Sequence, residues 1–395
     1  MISEKMLELG KKRSLIREIF EYGKKRGLEI GADKVFDFSI GNPNVPAPDF
    51  VRDTLIEILT KEDPTKTHGY TSAQGDSGVR KALADYTNSK YGTDITADNF
   101  YLTAGAAASL SMCCTALAVP GDEFLTLAPY FPEYKVYVES AGALFSVVPA
   151  DTADFQVNFE KFEKAINKNT KAVIINSPNN PSGVVYSLET IKRICSVMEK
   201  KSNEFGHVIY LISDEPYREL VYGDIEVPFL LRHYKNTLVC YSFSKSLSLP
   251  GERIGYVLVS NQMENADDIY AAVGGAGRAL GYVCAPSLFQ YLIGRCLGRT
   301  ADISIYKKNR DVLYGALKEM GYECAKPDGA FYLFIKALEP DASAFCEKAK
   351  KYELLLVPGD GFGCPGYARI SYCVRTDQIE ASLPAFEKLA AEYKK

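Results

Sequence analysis

From about residue 50 to residue 272, apolar runs of strand length alternate with helical patterns, and this alternation constrains the fold more than any other feature. The strand candidates are residues 100–103, 123–127, 143–148, 172–175, 208–212, 237–243 and 255–259. The helical patterns cover residues 74–90, 106–118, 131–141, 158–166, 187–203 and 263–272. Continuous apolar strands are typical of buried parallel sheets. The alternation therefore predicts an α/β fold, with a large domain whose mostly parallel sheet is flanked by helices.

The two ends of the chain have a different pattern. Residues 14–26 have helical spacing and are followed by Gly27, which predicts a helix that stops at this glycine. A short strand and a proline-rich crossing follow in residues 36–48. Beyond residue 286 we expect the following elements in order: a long helical stretch over 287–320, a strand over 329–335, a helix over 341–351, strands over 354–358 and 368–374, and a final helix.

This mixed pattern predicts a smaller α+β domain at the C-terminal end. We place an N-terminal segment that packs with the small domain in residues 1–45, the large domain in 46–290 and the small domain in 291–395.

Composition excludes several classes of function. The 395 residues carry a net charge of −4 with scattered lysines and arginines, so nucleic acid is not expected as a partner. No apolar run reaches the roughly 18 residues of a membrane span, and the charged opening does not resemble a signal peptide. Ten cysteines without a Cys-x-x-Cys pair and three separated histidines predict neither disulfides nor a metal site. We expect a cytoplasmic protein that acts on small molecules.

Polar loops follow the predicted strands. After Thr103, the loop at Gly105 leads into a helix, and its backbone N–H groups would suit an anion such as phosphate, although a tight turn explains the glycine equally well. Residues 176–183, Asn-Ser-Pro-Asn-Asn-Pro-Ser-Gly, form a turn-dense loop that presents amides at the same edge of the sheet. Turn chemistry alone is the alternative explanation.

Two further strand ends carry ionisable groups. Asp214 ends one apolar run, and Tyr217 follows three residues later on the same side of a forming helix. Taken alone, the carboxylate would indicate a helix cap. Lys245 lies in Tyr241-Ser-Phe-Ser-Lys-Ser after another run, with Arg253 eight residues on. An isolated lysine is usually a solvated surface residue. Together, the loops supply an amine, a carboxylate, a phenol, an amide and an anion site, which are the groups that pyridoxal phosphate requires.

The combination resembles the class I/II aminotransferases, pyridoxal-phosphate enzymes of the aspartate aminotransferase fold type (fold type I). The matching motifs are Gly41-x-Pro43, His68-Gly-Tyr70-Thr-x-x-x-Gly75-x-x-x-x-Arg80, Asn176-x-Pro-x-Asn180-Pro-x-Gly183, Asp214-x-x-Tyr217, Ser242-x-Ser-Lys245 with Arg253, and Ala368-Arg369-Ile-Ser. They cover most of the chain in the order of the family.

The resemblance implies roles for individual residues. Lys245 would bind the cofactor covalently and move the substrate's α-proton. Asp214 would pair with the protonated pyridine nitrogen, and Asn180 and Tyr217 would hydrogen-bond the phenolate oxygen. Phe131 would stack on the ring. The implied phosphate ligands are Arg253, Ser242, the loop amides at Gly105, Ala106 and Ala107, and Tyr70 from a second subunit.

The resemblance also implies how substrates bind. Arg369 would hold the α-carboxylate of the amino acid or 2-oxo acid in a bidentate pair, with Asn180 and the backbone of Gly41 beside it. Arg278 lies in a glycine-rich stretch, residues 274–281, which we interpret as a mobile loop. We hypothesise that Arg278 enters the site of the other subunit and favours acidic amino donors; a phosphate or structural ion-pair role is the alternative. A homodimer with composite sites follows from Tyr70 and Arg278.

Three departures from the family pattern stand out. Ser182 replaces the usual threonine, Phe131 replaces a common tryptophan, and residues 106–108 are alanines where many relatives have a hydroxyl. These departures leave the identity of the substrate less well defined by the sequence. They do not affect the assignment of the cofactor.

Other activities fit part of the pattern. Tyr241-x-x-x-Lys245 matches the catalytic pair of short-chain dehydrogenases, but the glycines of a dinucleotide-binding turn are missing after the first strand. Within the resembling fold, a C–S lyase, racemase, decarboxylase or synthase would use the same cofactor groups.

Overall fold

The computed structural model describes residues 2–11 and 14–394, and its elements are numbered here in chain order. The strands are β1 Phe36–Asp37, β2 Phe100–Thr103, β3 Glu123–Leu127, β4 Leu144–Val148, β5 Thr170–Asn176, β6 Tyr210–Asp214, β7 Thr237–Ser242, β8 Gly255–Val259, β9 Tyr332–Lys336, β10 Leu354–Leu355, β11 Val357–Pro358 and β12 Tyr367–Ser371. The helices are α1 Glu4–Lys11, α2 Leu15–Ile30, α3 Asp49–Lys61, α4 Pro64–His68, α5 Ser77–Tyr91, α6 Ala106–Leu117, α7 Glu133–Ser140, α8 Phe159–Ala165, α9 Leu188–Phe205, α10 Phe243–Ser246, α11 Ala266–Leu280, α12 Ser287–Cys296, α13 Ser304–Met320, α14 Ala342–Lys350 and α15 Thr376–Ala391.

The central sheet has seven strands in the order β2-β8-β7-β6-β5-β3-β4. Strand β8 runs antiparallel to both of its neighbours, and the remaining pairs are parallel. All seven strands coincide with predicted strands to within two residues. The prediction of an α/β fold with a mostly parallel sheet is confirmed.

Helices cover both faces of this sheet because neighbouring strand residues point in opposite directions. On one face, Ile174 and Ile212 pack in a core with residues of α6 and α11. On the other face, Val173 and Leu211 pack with residues of α8 and α9. Burial on both sides explains why these strands have continuous apolar sequences.

A second layer of small sheets belongs to the C-terminal part. Strands β11, β12 and β9 form an antiparallel sheet, and α13, α14 and α15 share one core with it. Strand β1 pairs in parallel with β10, so the N-terminal segment contacts the C-terminal part. The predicted domain boundaries, at residues 45 and 290, stay a prediction.

Four local predictions are wrong. Helix α2 continues past Gly27 to Ile30, and Gly31 follows it with φ 103°. The stretch 287–320 is two helices, because the chain turns at Gly298, where φ is 77°. Asp214 is followed by turns rather than a helix.

The fourth correction concerns residues 274–281, which are not a loop. Gly274 to Leu280 belong to α11, and only Gly281 lies beyond the helix. A Cβ atom on Gly277 would lie 2.8 Å from Met112 Cε. The glycine therefore lets α11 pack closely on α6.

In the described part of the chain, no helix is long and apolar enough to cross a membrane.

Gly255 places the loop after β2 against the end of β8. A Cβ atom at Gly255 would lie 2.2 Å from the carbonyl oxygen of Tyr241 and 3.0 Å from Gly105 Cα, both backbone atoms that cannot rotate away. We expect Gly255→Ala to destabilise the protein by about 1–3 kcal/mol, as overpacking does, and to lower the midpoint of thermal unfolding. Gly251→Ala is the matched control, since a Cβ there meets nothing within 4 Å. Equal midpoints for the two variants would contradict this account.

Candidate active site

A cavity lies at the carboxyl ends of β5, β6 and β7, where a doubly covered sheet places its binding sites. Eleven of the fourteen residues proposed from sequence line it: Gly41, Ala106, Ala107, Phe131, Asn180, Asp214, Tyr217, Ser242, Lys245, Arg253 and Arg369. Gly105 directly precedes α6, whose first residues are part of the wall. Tyr70 and Arg278 do not line the cavity.

Lys245 lies in α10, the short helix that follows β7. The side chain of Ser242 caps this helix by accepting from the backbone N–H of Ser244 at 3.1 Å. The Lys245 amine is partly buried and donates to the carbonyl oxygen of Gly41 at 2.6 Å. Burial lowers the pKa of Lys245 to about 8, and the positive charges of Arg253 and Arg369 act in the same direction. A substantial share of the amine is therefore neutral near physiological pH.

Asp214 is the last residue of β6 and is buried. Its register partners are Asn176 on one side and Cys240 on the other. The Oδ2 atom accepts a hydrogen bond from the Tyr134 hydroxyl at 2.5 Å, whereas the buried Oδ1 atom has no hydrogen-bond partner within the described ranges. Burial raises the pKa of Asp214 to about 7, and the Tyr134 hydrogen bond opposes that rise.

The start of α6 has the features of an anion site. Gly105 precedes the 12-residue helix with φ 87°, a conformation that favours glycine. The guanidinium of Arg253 lies against this glycine, since a Cβ there would be 3.0 Å from Nη2. Ser242 and Ser244 add hydroxyls that lie 2.6 Å apart. Ser244 also lines the cavity, whereas the side chains of Ala106 and Ala107 carry no hydroxyl.

Arg369 is buried on β12. Its Nη1 donates to Asn180 Oδ1 at 3.0 Å and its Nη2 donates to the carbonyl oxygen of Ser39, while Nε has no partner in the described structure. The guanidinium lies 4.7 Å from the ring centroid of Tyr332. Burial lowers the pKa of Arg369.

A chain of amides connects the two buried charges. Asn176 Nδ2 donates to the carbonyl oxygen of Asp214 at 2.9 Å, and the backbone N–H of Asn180 donates to Asn176 Oδ1 at 2.7 Å. Asn180 in turn accepts from Arg369. The turn-dense loop therefore fixes the position of the Arg369 guanidinium relative to Asp214.

Sequence reasoning missed several residues of the cavity. The Tyr332 hydroxyl lies 2.9 Å from the Tyr217 hydroxyl. A Cβ on Gly41 would lie 1.9 Å from the Tyr332 hydroxyl oxygen. Ile16 and Ile40 also line the cavity. Sequence reasoning also missed the contact of Tyr134 with Asp214. Tyr134 lies three residues after Phe131 in the motif Pro129-Tyr-Phe-Pro-Glu-Tyr134, and this helical spacing could have indicated that the two side chains lie together.

Tyr70 and Arg278 lie at the surface. Tyr70 is 99% exposed. Arg278 is exposed in the last turn of α11. Their predicted roles require a second subunit and stay predictions.

Tyr241 does not belong to the cavity. It is buried in β7, and its hydroxyl donates to Glu219 Oε2 at 2.8 Å and accepts from the Ser246 hydroxyl at 2.9 Å. A catalytic pair of Tyr241 with Lys245 therefore has no support from the geometry.

Comparison with known proteins identifies the family. The model for aminotransferase class I and II matches residues 33–386. The chain is 30% identical over 370 residues to the aspartate aminotransferase of Thermotoga maritima, covering 92% of this chain and 93% of that protein. It is 32% identical over 372 residues to a (5-formylfuran-3-yl)methyl phosphate transaminase of Methanocaldococcus jannaschii, covering 90% and 91%.

Solved structures agree. An amino transferase from Eubacterium rectale has a TM-score of 0.98 at 60% identity over all of both chains. The aspartate aminotransferase structure from Thermotoga maritima has a TM-score of 0.86 at 30% identity, covering 98% of this chain and 99% of that one. The dehydrogenase alternative has no support among these relatives. The chain belongs to the class I and II aminotransferases and is a transaminase.

Proposed function

We propose that the cavity binds pyridoxal 5'-phosphate and that the enzyme moves an amino group between an amino acid and a 2-oxo acid. One observation carries the proposal: the cavity holds an amine of lowered pKa, Lys245, together with a buried carboxylate, Asp214, whose Oδ1 has no partner among the described residues. The first group suits covalent capture of a carbonyl and the second suits a ring cation.

The remaining donor groups fit the same cofactor. The N–H groups at the start of α6 and the Arg253 guanidinium suit a phosphate. Tyr217 and Asn180 present polar groups where a phenolic oxygen needs partners, and Phe131 offers a flat apolar surface to a ring. When bound, the cofactor supplies an electron sink for the charge that remains after the substrate loses its α-proton.

The protein's own residues bind and orient the substrate. Arg369 presents a planar guanidinium that suits a bidentate pair with the α-carboxylate, and its unpartnered Nε is an additional donor. The Lys245 amine, in its neutral form, takes the α-proton at Nζ. A base with a pKa near the working pH is efficient in this step.

A two-step absorbance experiment tests the proposed function. The protein reconstituted with pyridoxal phosphate should show a long-wavelength absorbance band that an amino acid removes and a 2-oxo acid restores. Lys245→Ala should lose the covalent attachment, and its rate should fall by several orders of magnitude because no group replaces the amine as nucleophile and base.

The restoring half-reaction separates the alternatives. A lyase or racemase would not complete that half of the cycle, so its absence would contradict transamination. Covalent attachment of the cofactor in Lys245→Ala at full stoichiometry would contradict the assignment of the lysine.

The lowered pKa of Lys245 predicts a specific pH dependence. In cofactor-free protein, only the neutral amine reacts with an acylating reagent, so labelling of Lys245 should rise with pH and reach half its maximal rate near pH 8, about where its pKa lies. Exposed lysines in the same digests provide the reference. Peptide mass spectrometry at each pH measures the rates. A midpoint near 10.5, the ordinary lysine value, would contradict burial as the cause.

We also propose a homodimer with composite active sites and a cytoplasmic location. Among the described residues, the cationic ones that line the cavity are Lys245, Arg253 and Arg369, and each has a proposed role at one part of cofactor or substrate. The second carboxylate of an acidic donor would pair with a further cation. Relatives named aspartate aminotransferases support acidic donors, and the hypothesis assigns that cation to Arg278 of a second subunit.

Replacement of Arg278 tests this assignment. We expect Arg278→Ala to lower kcat/KM for aspartate and glutamate about tenfold or more, since one charge-assisted pair is lost, while kcat/KM for alanine changes little. Arg299→Ala removes another exposed arginine from the same part of the chain and is the control. If Arg278→Ala leaves the ratio between aspartate and alanine unchanged, the role of Arg278 is wrong.

A further inference from the structure

Tyr134 is a buried residue at the start of α7 whose hydroxyl makes one hydrogen bond within the described residues. It is 1% exposed, and its hydroxyl donates to Asp214 Oδ2 at 2.5 Å. The ring of Phe131 packs edge-on against the Tyr134 ring, with centroids 5.7 Å apart. Residues 131–134 thus supply both an aromatic wall of the cavity and a hydrogen bond to the Asp214 carboxylate.

The contact divides the two oxygens of Asp214 into different states. Oδ2 is occupied by the phenol, whereas Oδ1 is buried without a partner in the part of the chain that the structure describes. A carboxylate held at one oxygen cannot rotate to offer that oxygen to a ligand. Oδ1 is therefore the atom available to a group in the cavity.

We propose that Tyr134 is a positioning residue, whose hydroxyl favours the ionised form of Asp214 and turns the carboxylate so that Oδ1 receives the ring nitrogen of the cofactor. The inference rests on the proposed function and goes beyond it, because it assigns the state of Asp214 to a residue that does not contact the ring nitrogen itself.

The electrostatic surroundings of Asp214 make this hydrogen bond necessary. Burial and the nearby Glu215 both raise the pKa of Asp214, and the Tyr134 hydroxyl is the group that lowers it. The titratable neighbours Tyr137, Tyr217 and Cys240 are neutral groups whose own pKa values are raised. Without the phenol, the pKa of Asp214 would rise further and a larger share of the acid would be protonated at neutral pH. A neutral acid attracts a ring cation less than a carboxylate does.

A pair of cofactors that differ at one atom tests the proposal. The full-length cofactor-free protein is titrated with pyridoxal phosphate and with its 1-deaza analogue, in which carbon replaces the ring nitrogen, and absorbance gives the two apparent Kd values. The ratio of the deaza Kd to the pyridoxal phosphate Kd measures the contribution of the nitrogen. We expect Tyr134→Phe to lower this ratio about tenfold or more, the effect of losing a hydrogen bond to a charged group.

Tyr137→Phe is the matched control. Tyr137 lies three residues later in α7, lines the same cavity and feels the charge of Asp214, but its hydroxyl makes no hydrogen bond to that carboxylate within the described residues. Its loss can change both Kd values but should not change their ratio. This variant removes the same atom from the same helix, and the Kd ratio should stay within about twofold of wild type. In an Asp214→Asn background, adding Tyr134→Phe should have no further effect on the ratio, because the two residues act as one unit.

Each other outcome overturns the proposal. If Tyr134→Phe weakens binding of both ligands equally, the hydroxyl supports the shape of the site and not the nitrogen contact. An unchanged ratio, or additive effects with Asp214→Asn, also contradicts it. Retained affinity for the deaza analogue shows that the variant site is folded. If wild-type protein binds neither ligand, the proposed function itself fails, and this inference fails with it.

Discussion

The site depends on two buried charges that the chain leaves incompletely paired. The Asp214 carboxylate and the Arg369 guanidinium are both buried, and within the described ranges Oδ1 of the first and Nε of the second have no hydrogen-bond partner. Burying a charge without full compensation costs free energy. A ligand that brings a cation to Asp214 and a carboxylate to Arg369 would recover that cost on binding. The two charges therefore favour ligands that place a positive group beside Asp214 and a negative group beside Arg369.

The cost at Asp214 depends on pH in a defined direction. Burial raises the pKa of Asp214 from its ordinary value of 3.8 to about 7 in the folded protein, so the folded state binds this proton more tightly than the unfolded state does. The group therefore reduces stability as pH rises from about 4 to 7, by an amount of the order of 4 kcal/mol above that range. A ring cation beside Oδ1 would stabilise the ionised form. The bound cofactor would thus contribute most to stability at the neutral pH where the enzyme works.

The sheet and the residues at its strand ends could be predicted because their signals are local. Val173 and Ile174 face opposite helix layers, so burial on both faces appears in the sequence as an uninterrupted apolar run. Asn176 and Asp214 end neighbouring strands and are register partners. Parallel pairing alone therefore brings them to one edge. No structural information beyond strand order is needed to group these residues.

The rest of the site depends on contacts between segments that are distant in sequence. Tyr134 and Asp214 are 80 residues apart, and Arg369 meets Asn180 across 189 residues. Nothing in the spacing near Tyr134 specifies which carboxylate its hydroxyl reaches. The glycines around Arg278 predict a loop when the sequence is taken alone. Helix α6, which packs against them through Met112, cannot be identified from their own sequence. Glycine signals a close approach as readily as a turn, and only the tertiary neighbour decides between the two.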